Sequence, residues 1–169
     1  NDVWSIAVQG DEVWIGTRLG ASQYHDRRDL WRTFTTANGL TGSEISAVCI
    51  DGDDVYFAHQ AGVSVYHATA DAWDSYSNAQ GEPLDGARIT SAVVGVEAVW
   101  FGTFNLGVMR LDRATLEWTR LSVADGLPHD NVLSLAVDGA LLWIGTQRGL
   151  ARHDTRTGDF VAFTRYGDS

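Results

Sequence analysis

The sequence predicts an all-β fold in which a four-stranded unit occurs four times in succession. An aromatic residue in a recurrent apolar phrase marks each unit, with steps of 42, 44 and 43 residues between Trp14, Tyr56, Trp100 and Trp143. Apolar residues alternate with small or polar ones, and no apolar stripe with the helical period of about 3.6 residues is present. Repeats of about 40–45 residues with several strands are typical of β-propellers. We therefore expect a β-propeller of four consecutive four-stranded antiparallel blades, each of about 43 residues.

The predicted domain is a single β-propeller, or a segment of one, over residues 1–169, with blades at approximately 1–42, 43–86, 87–129 and 130–169. Each unit opens with a β-branched residue, namely Val3, Ile45, Ile89 or Val132. A glycine follows the central phrase at Gly20, Gly62, Gly107 and Gly149. An aromatic residue closes each unit, at Trp31, Trp73, Trp118 and Phe160. These positions keep one register along the chain, which indicates that the four units share one structure.

The fourth unit shows how each element is predicted. "VLSLAVD" is a first strand because its apolar residues alternate with small ones, and "LLWIGT" is a second strand. The Asp-Gly pair between them suits a hairpin turn, since both residues tolerate positive φ. "QRG" is a second turn, "LARHD" a third strand, "TRTGD" a loop and "FVAFT" a fourth strand. The same interpretation of every unit predicts 16 strands and almost no helix.

A glycine lies within the second strand of three units, at Gly16, Gly102 and Gly145, and the remaining unit has Ala58 there. Glycine inside a strand usually marks a place where another backbone approaches closely. Because propeller blades stack face to face, we expect this small residue to leave room for the adjacent blade. We expect most of the seven tryptophans, including Trp14, Trp100 and Trp143, to be buried between blades rather than to form a sugar-stacking platform.

The composition limits the classes of partner. The chain has 169 residues, 44% hydrophobic content and a formal charge of −10. This charge repels phosphate backbones and anionic membrane surfaces, so we expect no nucleic acid partner and no membrane contact by this segment. No apolar run approaches the ~20 residues of a membrane-spanning helix, and the opening "NDVWSIAV" has no signal-peptide pattern. The single cysteine, Cys49, excludes an intrachain disulfide and is expected to be a buried apolar side chain.

The last linker and blade, "GLPHDNVLSLAVDGALLWIGTQRGLARHD", resemble the two-component regulator propeller repeat. That family repeats a Gly-Leu-Pro turn, a short strand, an Asp-Gly turn, a Leu-Trp-Ile-Gly-Thr strand and a Gly-Leu strand. The resemblance extends over essentially the whole chain, and the second unit departs most from it, with "VYFAHQAGV" in place of the Trp-Ile-Gly-Thr phrase.

The resemblance to this family implies a sensor module of the kind that forms the extracytoplasmic part of hybrid two-component signalling proteins. It therefore implies a periplasmic or extracellular bacterial location. It also implies a small-molecule or glycan ligand, often a carbohydrate fragment, whose binding is signalled to a membrane-attached kinase.

Loops on one face of the propeller are the predicted ligand site. The turns between second and third strands and the linkers between blades are expected to share that face, and loops on a rigid scaffold often carry function. Two positions depart from the repeat: His59 replaces a threonine, and one extra residue in the third turn introduces Phe104 and Asn105. We predict that a hydroxyl-rich or carboxylate-bearing ligand binds around one mouth of the central channel, at Arg18, His59, Gln60, Phe104, Asn105, Gln147 and Arg148, with His129 from a linker. The alternative is that these residues form ordinary solvated turns.

No catalytic pattern is present in the sequence. H-E-x-x-H, G-x-S-x-G and P-loop motifs are all absent, and we predict no catalytic residues, no bound metal and no cofactor. A ligand-sensing module without enzymatic activity is therefore the first hypothesis. The alternative is a protein–protein interaction scaffold, in which the loop face or the rim binds another polypeptide.

The terminal blades are expected to have apolar faces that need a neighbour, as in any stacked repeat. Propellers have about 4–8 blades, so a single four-bladed ring is allowed. We favour closure of the ring by further blades, supplied by self-association with a second copy or by additional chain, over a four-bladed monomer.

Overall fold

The computed structural model describes residues 2–163 and consists of two compact units, Asn1–Ile89 and Thr90–Ser169. Two four-stranded antiparallel sheets make up each unit, and the strands of every sheet follow one another in chain order. This arrangement confirms the predicted all-β class and the predicted four-stranded repeat. The predicted end of the last blade, residues 164–169, lies outside the described residues.

The first unit contains the first and second sheets. The first sheet consists of β1 (Val3–Gln9), β2 (Glu12–Thr17), β3 (Gly20–His25) and β4 (Leu30–Phe34). The second sheet consists of β5 (Ile45–Asp51), β6 (Asp54–His59), β7 (Gly62–His67) and β8 (Ala72–Ser77).

The second unit contains the third and fourth sheets, and the boundary between the units falls at the first residue of β9. The third sheet consists of β9 (Ile89–Val94), β10 (Ala98–Thr103), β11 (Val108–Asp112) and β12 (Trp118–Leu121). The fourth sheet consists of β13 (Val132–Asp138), β14 (Leu141–Thr146), β15 (Gly149–Asp154) and β16 (Phe160–Phe163).

Helical structure between residues 2 and 163 is confined to two three-residue 3-10 helices, Asp26–Arg28 and Val123–Asp125. The second of these is capped by Ser122, whose side chain accepts a hydrogen bond from the Ala124 backbone N–H. In the part of the chain that the structure describes, no helix has the length and apolar character needed to cross a membrane.

The Asp-Gly hairpins of the second and fourth sheets adopt the predicted backbone conformation. Gly52 has a φ of +61° and Gly139 has a φ of +57°, both in the left-handed region that glycine reaches without steric cost. Each glycine follows the aspartate that ends the first strand of its sheet. The turn chemistry was therefore readable from the sequence.

A register irregularity at the start of the first strand recurs in three sheets. It lies between Val3 and Ser5, between Ile45 and Ala47, and between Val132 and Ser134. An irregularity of this kind bends the strand and increases its local twist. The repeated units thus share a backbone detail that the alternation of apolar residues did not indicate.

Aromatic side chains form the core of the first unit. Trp14 is fully buried, and its ring centroid lies 5.5 Å from that of Phe34. The rings of Phe57 and Tyr66, on the second sheet, each lie 5.7 Å from Trp14. Trp73 packs against the same cluster. These contacts join the first sheet to the second. They stabilise the unit because large buried aromatic side chains remove much apolar surface from water.

The core of the second unit follows the same plan with fewer aromatic residues. Trp100 of the third sheet packs with Leu142 and Ile144 of the fourth sheet, which are fully buried. His153 stacks on Phe160 with centroids 4.3 Å apart, and burial lowers the pKa of this histidine. His153 is therefore a neutral core residue.

Two of the three glycines within the second strands, Gly16 and Gly102, leave room for the following sheet as predicted, whereas the atoms nearest to a Cβ on Gly145 belong to Ser134 of its own sheet. A Cβ atom on Gly16 would lie 2.6 Å from Ile45 Cγ2, and a Cβ atom on Gly102 would lie 2.7 Å from Val132 Cγ1. Carbon atoms in contact normally sit about 3.5–4.0 Å apart. Any larger residue would therefore push the two sheets of the unit apart.

The prediction that most tryptophans are buried between blades is wrong for several of them. Trp14 and Trp100 are buried, but Trp143 is only half-buried. Trp4 is 48% exposed and Trp31 is 61% exposed. Trp31 lies on the face of the first sheet that does not meet the second sheet, and Trp4 lies beside a pocket. The repeat pattern identified the tryptophan positions, but it did not show which faces of the sheets pack against another sheet.

Candidate functional site

The strand register places the loops predicted to bind ligand at one end of each sheet. Val3 pairs with Thr17, Ile45 with His59, and Val132 with Thr146. In an antiparallel pair, the start of the first strand lies beside the end of the second. The linker that enters a sheet therefore lies next to the turn between its second and third strands.

His59 connects such a linker to its turn in the first unit. The residue is 2% exposed, and its Nδ1 accepts a hydrogen bond from the Ala61 backbone N–H at 3.2 Å. The proton of the neutral ring is therefore on Nε2, which lies 2.9 Å from Ser64 Oγ and 3.1 Å from Thr41 Oγ1. Burial lowers the pKa of His59 to about 4, so the ring is neutral at pH 7.

Gln60 and Arg18 contact the same linker from two neighbouring turns. The side-chain oxygen of Gln60 accepts a hydrogen bond from the Glu44 backbone N–H at 3.0 Å. The Glu44 carboxylate lies 3.8 Å from Arg18 Nε. Both charged side chains are substantially exposed, so this ion pair adds little to stability. The structure thus brings the three predicted site residues of the first unit to one linker.

An open pocket of about 290 Å³ lies beside this linker, within the first unit. Its lining is Trp4, Glu44, Ser46, His59, Gln60, Ala87, Arg88 and Ile89. Trp4 presents an exposed aromatic ring next to buried apolar residues, and the polar groups include a carboxylate, an amide and a guanidinium. A few polar groups around an apolar surface are typical of small-molecule sites.

The third turn places Phe104 and Asn105 at the surface of the second unit. Phe104 is 41% exposed, so its ring does not belong to the core of that unit. Thr103 fixes the turn, because its hydroxyl donates a hydrogen bond to the Gly107 carbonyl at 2.9 Å and accepts one from the Leu106 N–H at 2.8 Å. The extra residue noted in the sequence thus enlarges an exposed turn without altering its anchor.

His129 and Gln147 lie at the corresponding place on the fourth sheet. His129 Nδ1 accepts a hydrogen bond from the Asn131 N–H at 2.9 Å, and Asn131 Nδ2 donates to Gln147 Oε1 at 2.8 Å. The Arg148 N–H is held by Thr146 Oγ1 at 3.3 Å. The glutamine therefore binds the incoming linker here as Gln60 does in the first unit.

The predicted site residues therefore form one group in each unit. His59 and Gln60 line the pocket and Arg18 lies beside it, against Glu44, whereas Phe104, Asn105, His129, Gln147 and Arg148 lie on the loops of the second unit. Their gathering around a single channel mouth stays a prediction. Among the residues that the structure describes, no group of three His, Cys, Asp or Glu side chains is placed to hold a metal ion.

Trp4 is the pocket residue that the sequence analysis missed. Its equivalents in the other units are Ser46, Thr90 and Leu133, so no repeat pattern marked it. The available signal was its position, because the first residues of strand one lie beside the loops that were predicted to bind ligand. Arg88 and Ile89, which also line the pocket, lie at the start of β9.

The structure is similar to extracellular domains of putative hybrid two-component systems from B. thetaiotaomicron. For the system BT3049 the TM-score is 0.78 at 21% sequence identity, covering 97% of this chain and 25% of that chain. For BT4673 the TM-score is 0.79 at 22% identity, covering 99% of this chain and 23% of that chain. These similarities show a shared fold, which agrees with the resemblance to two-component regulator propellers.

A computationally designed protein, Ika4, has a similar fold over most of its own length. The TM-score is 0.67 at 16% identity, covering 97% of this chain and 91% of the designed chain. In contrast, the chain spans about a quarter of the length of the extracellular domains. No protein-family model and no curated protein sequence matches the chain.

Proposed function

We propose that this chain is a non-enzymatic ligand-sensing module of the β-propeller type, in which the four sheets are blades. The fold shared with extracellular domains of two-component systems supports this proposal. The module then lies outside the bacterial cytoplasm and reports ligand binding to a signalling partner.

The pocket beside Trp4 is the observation that carries the proposal. It combines an exposed tryptophan with polar side chains held by hydrogen bonds, and it lies within one unit of the fold. The Gln60 side chain is already positioned by the hydrogen bond that its oxygen accepts from the Glu44 backbone N–H at 3.0 Å, which also holds the linker. Binding of a ligand there therefore costs little conformational entropy, because these loops are already ordered.

A hydroxyl-rich small molecule, such as a sugar, fits this combination best. The aromatic face of Trp4 can cover the C–H groups of a sugar ring, while its indole edge remains polar. Glu44 accepts hydrogen bonds from hydroxyl groups, and Arg88 and Arg18 favour a carboxylate or another acceptor. Neutral and acidic sugars are therefore the proposed ligand classes.

A thermal unfolding screen of the purified chain with neutral and acidic mono- and oligosaccharides tests this function. A ligand present at 100 times its dissociation constant stabilises the folded state by about 2.7 kcal/mol. For a domain of this size we expect an increase in Tm of roughly 5–10 °C. Absence of any shift across the panel at millimolar sugar would contradict the proposal.

Two variants locate the binding site of any sugar found in the screen. Trp4→Ala removes the aromatic face and should abolish most of the shift. Trp31→Ala is the matched control, because Trp31 is also exposed but does not line the pocket. A sugar that still binds Trp4→Ala at full affinity would exclude this pocket as the site.

A protein–protein interaction scaffold is the second candidate function. Exposed apolar side chains on the first sheet favour it, because a contiguous apolar surface on a folded domain usually marks an interaction site. Failure of the sugar screen together with binding of a polypeptide to this surface would support the scaffold over the sensor.

A further inference from the structure

Each sheet has two faces, which the strand register defines. The tryptophan face carries the central aromatic residue of the second strand and the glycine two residues later, as with Trp14 and Gly16. The partner face carries the residue between them, such as Ile15, and the residues paired with it across the sheet. The two faces alternate because successive side chains of a strand point to opposite sides.

Both units use the same pairing of faces. In the first unit, the tryptophan face of the first sheet packs on the partner face of the second, where Trp14 meets Phe57 and Tyr66. In the second unit, the tryptophan face of the third sheet packs on the partner face of the fourth, where Trp100 meets Ile144 and His153. A tryptophan face thus packs on the partner face of the next sheet.

Within the first unit, the partner face of the first sheet has no such neighbour among the described residues. Ile6 is 60% exposed, Val8 is 65% exposed and Trp31 is 61% exposed. Tyr24 packs against Trp31 on the same face, with ring centroids 4.7 Å apart. The equivalents of Ile6 and Tyr24 on the second sheet are Val48 and Tyr66, which are buried against the first sheet.

The tryptophan face of the fourth sheet is also uncovered. Trp143 is half-buried, whereas its equivalent Trp14 is fully buried. Leu150 and Phe163, on the same face, are 39% and 45% exposed. The three atoms nearest to a Cβ atom on Gly145 all belong to Ser134 in its own sheet. The sequence retains the small residue and the tryptophan although no other sheet of the second unit, as far as the structure describes it, lies against them.

We propose that these two faces bind each other between two copies of the chain. The partner face of the first sheet in one copy receives the tryptophan face of the fourth sheet in the other, and the reverse contact completes a dimer. The two faces repeat the pairing already present inside each unit. Two copies supply eight sheets, which is within the range of about 4–8 blades in propellers.

Charge complementarity supports a second copy as the occupant. In the first unit, Arg32 donates hydrogen bonds to Tyr66 Oη and to an Asp71 carboxylate oxygen, both at 2.6 Å, and so links the two sheets. The open partner face has the equivalent pair, with Tyr24 Oη 3.3 Å from Asp29 Oδ1. On the open tryptophan face the position equivalent to Arg32 is Val161, and the cation is instead Arg152 on the adjacent third strand, whose guanidinium lies 5.9 Å from the Trp143 ring centroid. One chain therefore presents the cation and the other the tyrosine–aspartate pair.

The mass of the purified chain in solution, measured by light scattering across micromolar concentrations, tests this pairing. We expect twice the chain mass of 18.4 kDa. Ile6→Asp on the partner face and Leu150→Asp on the tryptophan face should each weaken dimerisation at least tenfold. Val96→Asp is the control, because Val96 is 69% exposed in a turn outside both faces, and it should remain dimeric.

Mixing the two defective variants tests the head-to-tail arrangement. An Ile6→Asp chain retains a tryptophan face, and a Leu150→Asp chain retains a partner face, so the mixture should recover one intact contact and form a heterodimer. A wild-type monomer, an assembly larger than a dimer, or a Leu150→Asp variant as dimeric as wild type would overturn the proposal. If an aspartate variant unfolds, Ile6→Ser and Leu150→Ser replace it, and thermal unfolding confirms their fold.

Discussion

At the scale of single residues, His59 shows how one departure from the repeat changes the chemistry of a buried turn. The other three units have threonine there, and each threonine hydroxyl bonds the carbonyl of the turn glycine. His59 instead bonds Thr41 and Ser64, so it joins the linker to the third strand. The buried histidine thus fixes one wall of the pocket, which it also lines.

The first prediction concerns the stability of the fold in acid. Because the pKa of His59 is lowered to about 4 from a usual 6.5, the unfolded chain binds a proton first as the pH falls. Stability is therefore lost between about pH 6.5 and pH 4, by about 3 kcal/mol for this residue. Urea titrations at pH 7 and pH 4.5 should show a smaller loss for His59→Thr than for wild type. Equal losses would contradict a neutral buried His59.

The second prediction concerns Cys49. The thiol is buried on β5, and burial raises its pKa above its usual value. The thiolate is the reactive form, so Cys49 should not react with a thiol reagent in the folded protein. The chain should react fully in 6 M guanidinium chloride, measured by absorbance or mass spectrometry. Rapid reaction of the native chain would show that β5 opens.

At the scale of strands and sheets, the structure shows why pattern analysis succeeded for the fold. The alternation of apolar residues predicted the strands, and the Asp-Gly pairs predicted the hairpin turns between them. Both signals are reliable because they depend on local backbone geometry. The register irregularities at Val3, Ile45 and Val132 were not predicted, since a one-residue bulge leaves the apolar count almost unchanged. Exposure of Trp31 and Trp143 depends on whether a neighbouring sheet is present, which no local pattern records.

The third prediction compares two glycines at equivalent positions. Gly16→Ala places a Cβ atom 2.6 Å from Ile45 Cγ2, so it should destabilise the fold by about 1–3 kcal/mol through overpacking. For Gly145→Ala the nearest atom is the Ser134 hydroxyl of its own sheet, which can rotate away, so its effect on the folding of one chain should be smaller. Urea unfolding of both variants at low concentration measures the difference. A larger cost for Gly145→Ala would refute the assignment of faces.

The fourth prediction compares Trp14 and Trp143 in the same way. Trp14→Ala removes a fully buried side chain and should cost about 3–5 kcal/mol. Trp143 is half-buried, so Trp143→Ala should cost clearly less when the chain is dilute enough to be monomeric. Similar costs for both substitutions under those conditions would mean that Trp143 has a neighbour within its own chain.

At the scale of the whole molecule, the loop ends of the sheets carry the candidate function. Sequence patterns identified the turns with Arg18, Gln60 and Gln147, because turns follow strands at fixed spacing. They did not distinguish exposed side chains, which are accessible to a ligand, from buried ones such as His59, which lines the pocket but mainly supports its loop, because both are polar departures from a repeat. Trp4 was missed for the opposite reason, since it lies inside a strand whose other copies have no aromatic residue.

The measurement that tests the sensor function most directly is a sugar titration followed by the indole N–H signals of the protein in NMR. The seven tryptophans give separate reporters spread over all four sheets, and substitution of Trp4 identifies its signal. We predict that a bound neutral or acidic sugar shifts the Trp4 signal more than any other. Saturable binding that leaves Trp4 unshifted while moving the signal of Trp31 or Trp143 would contradict the proposed site.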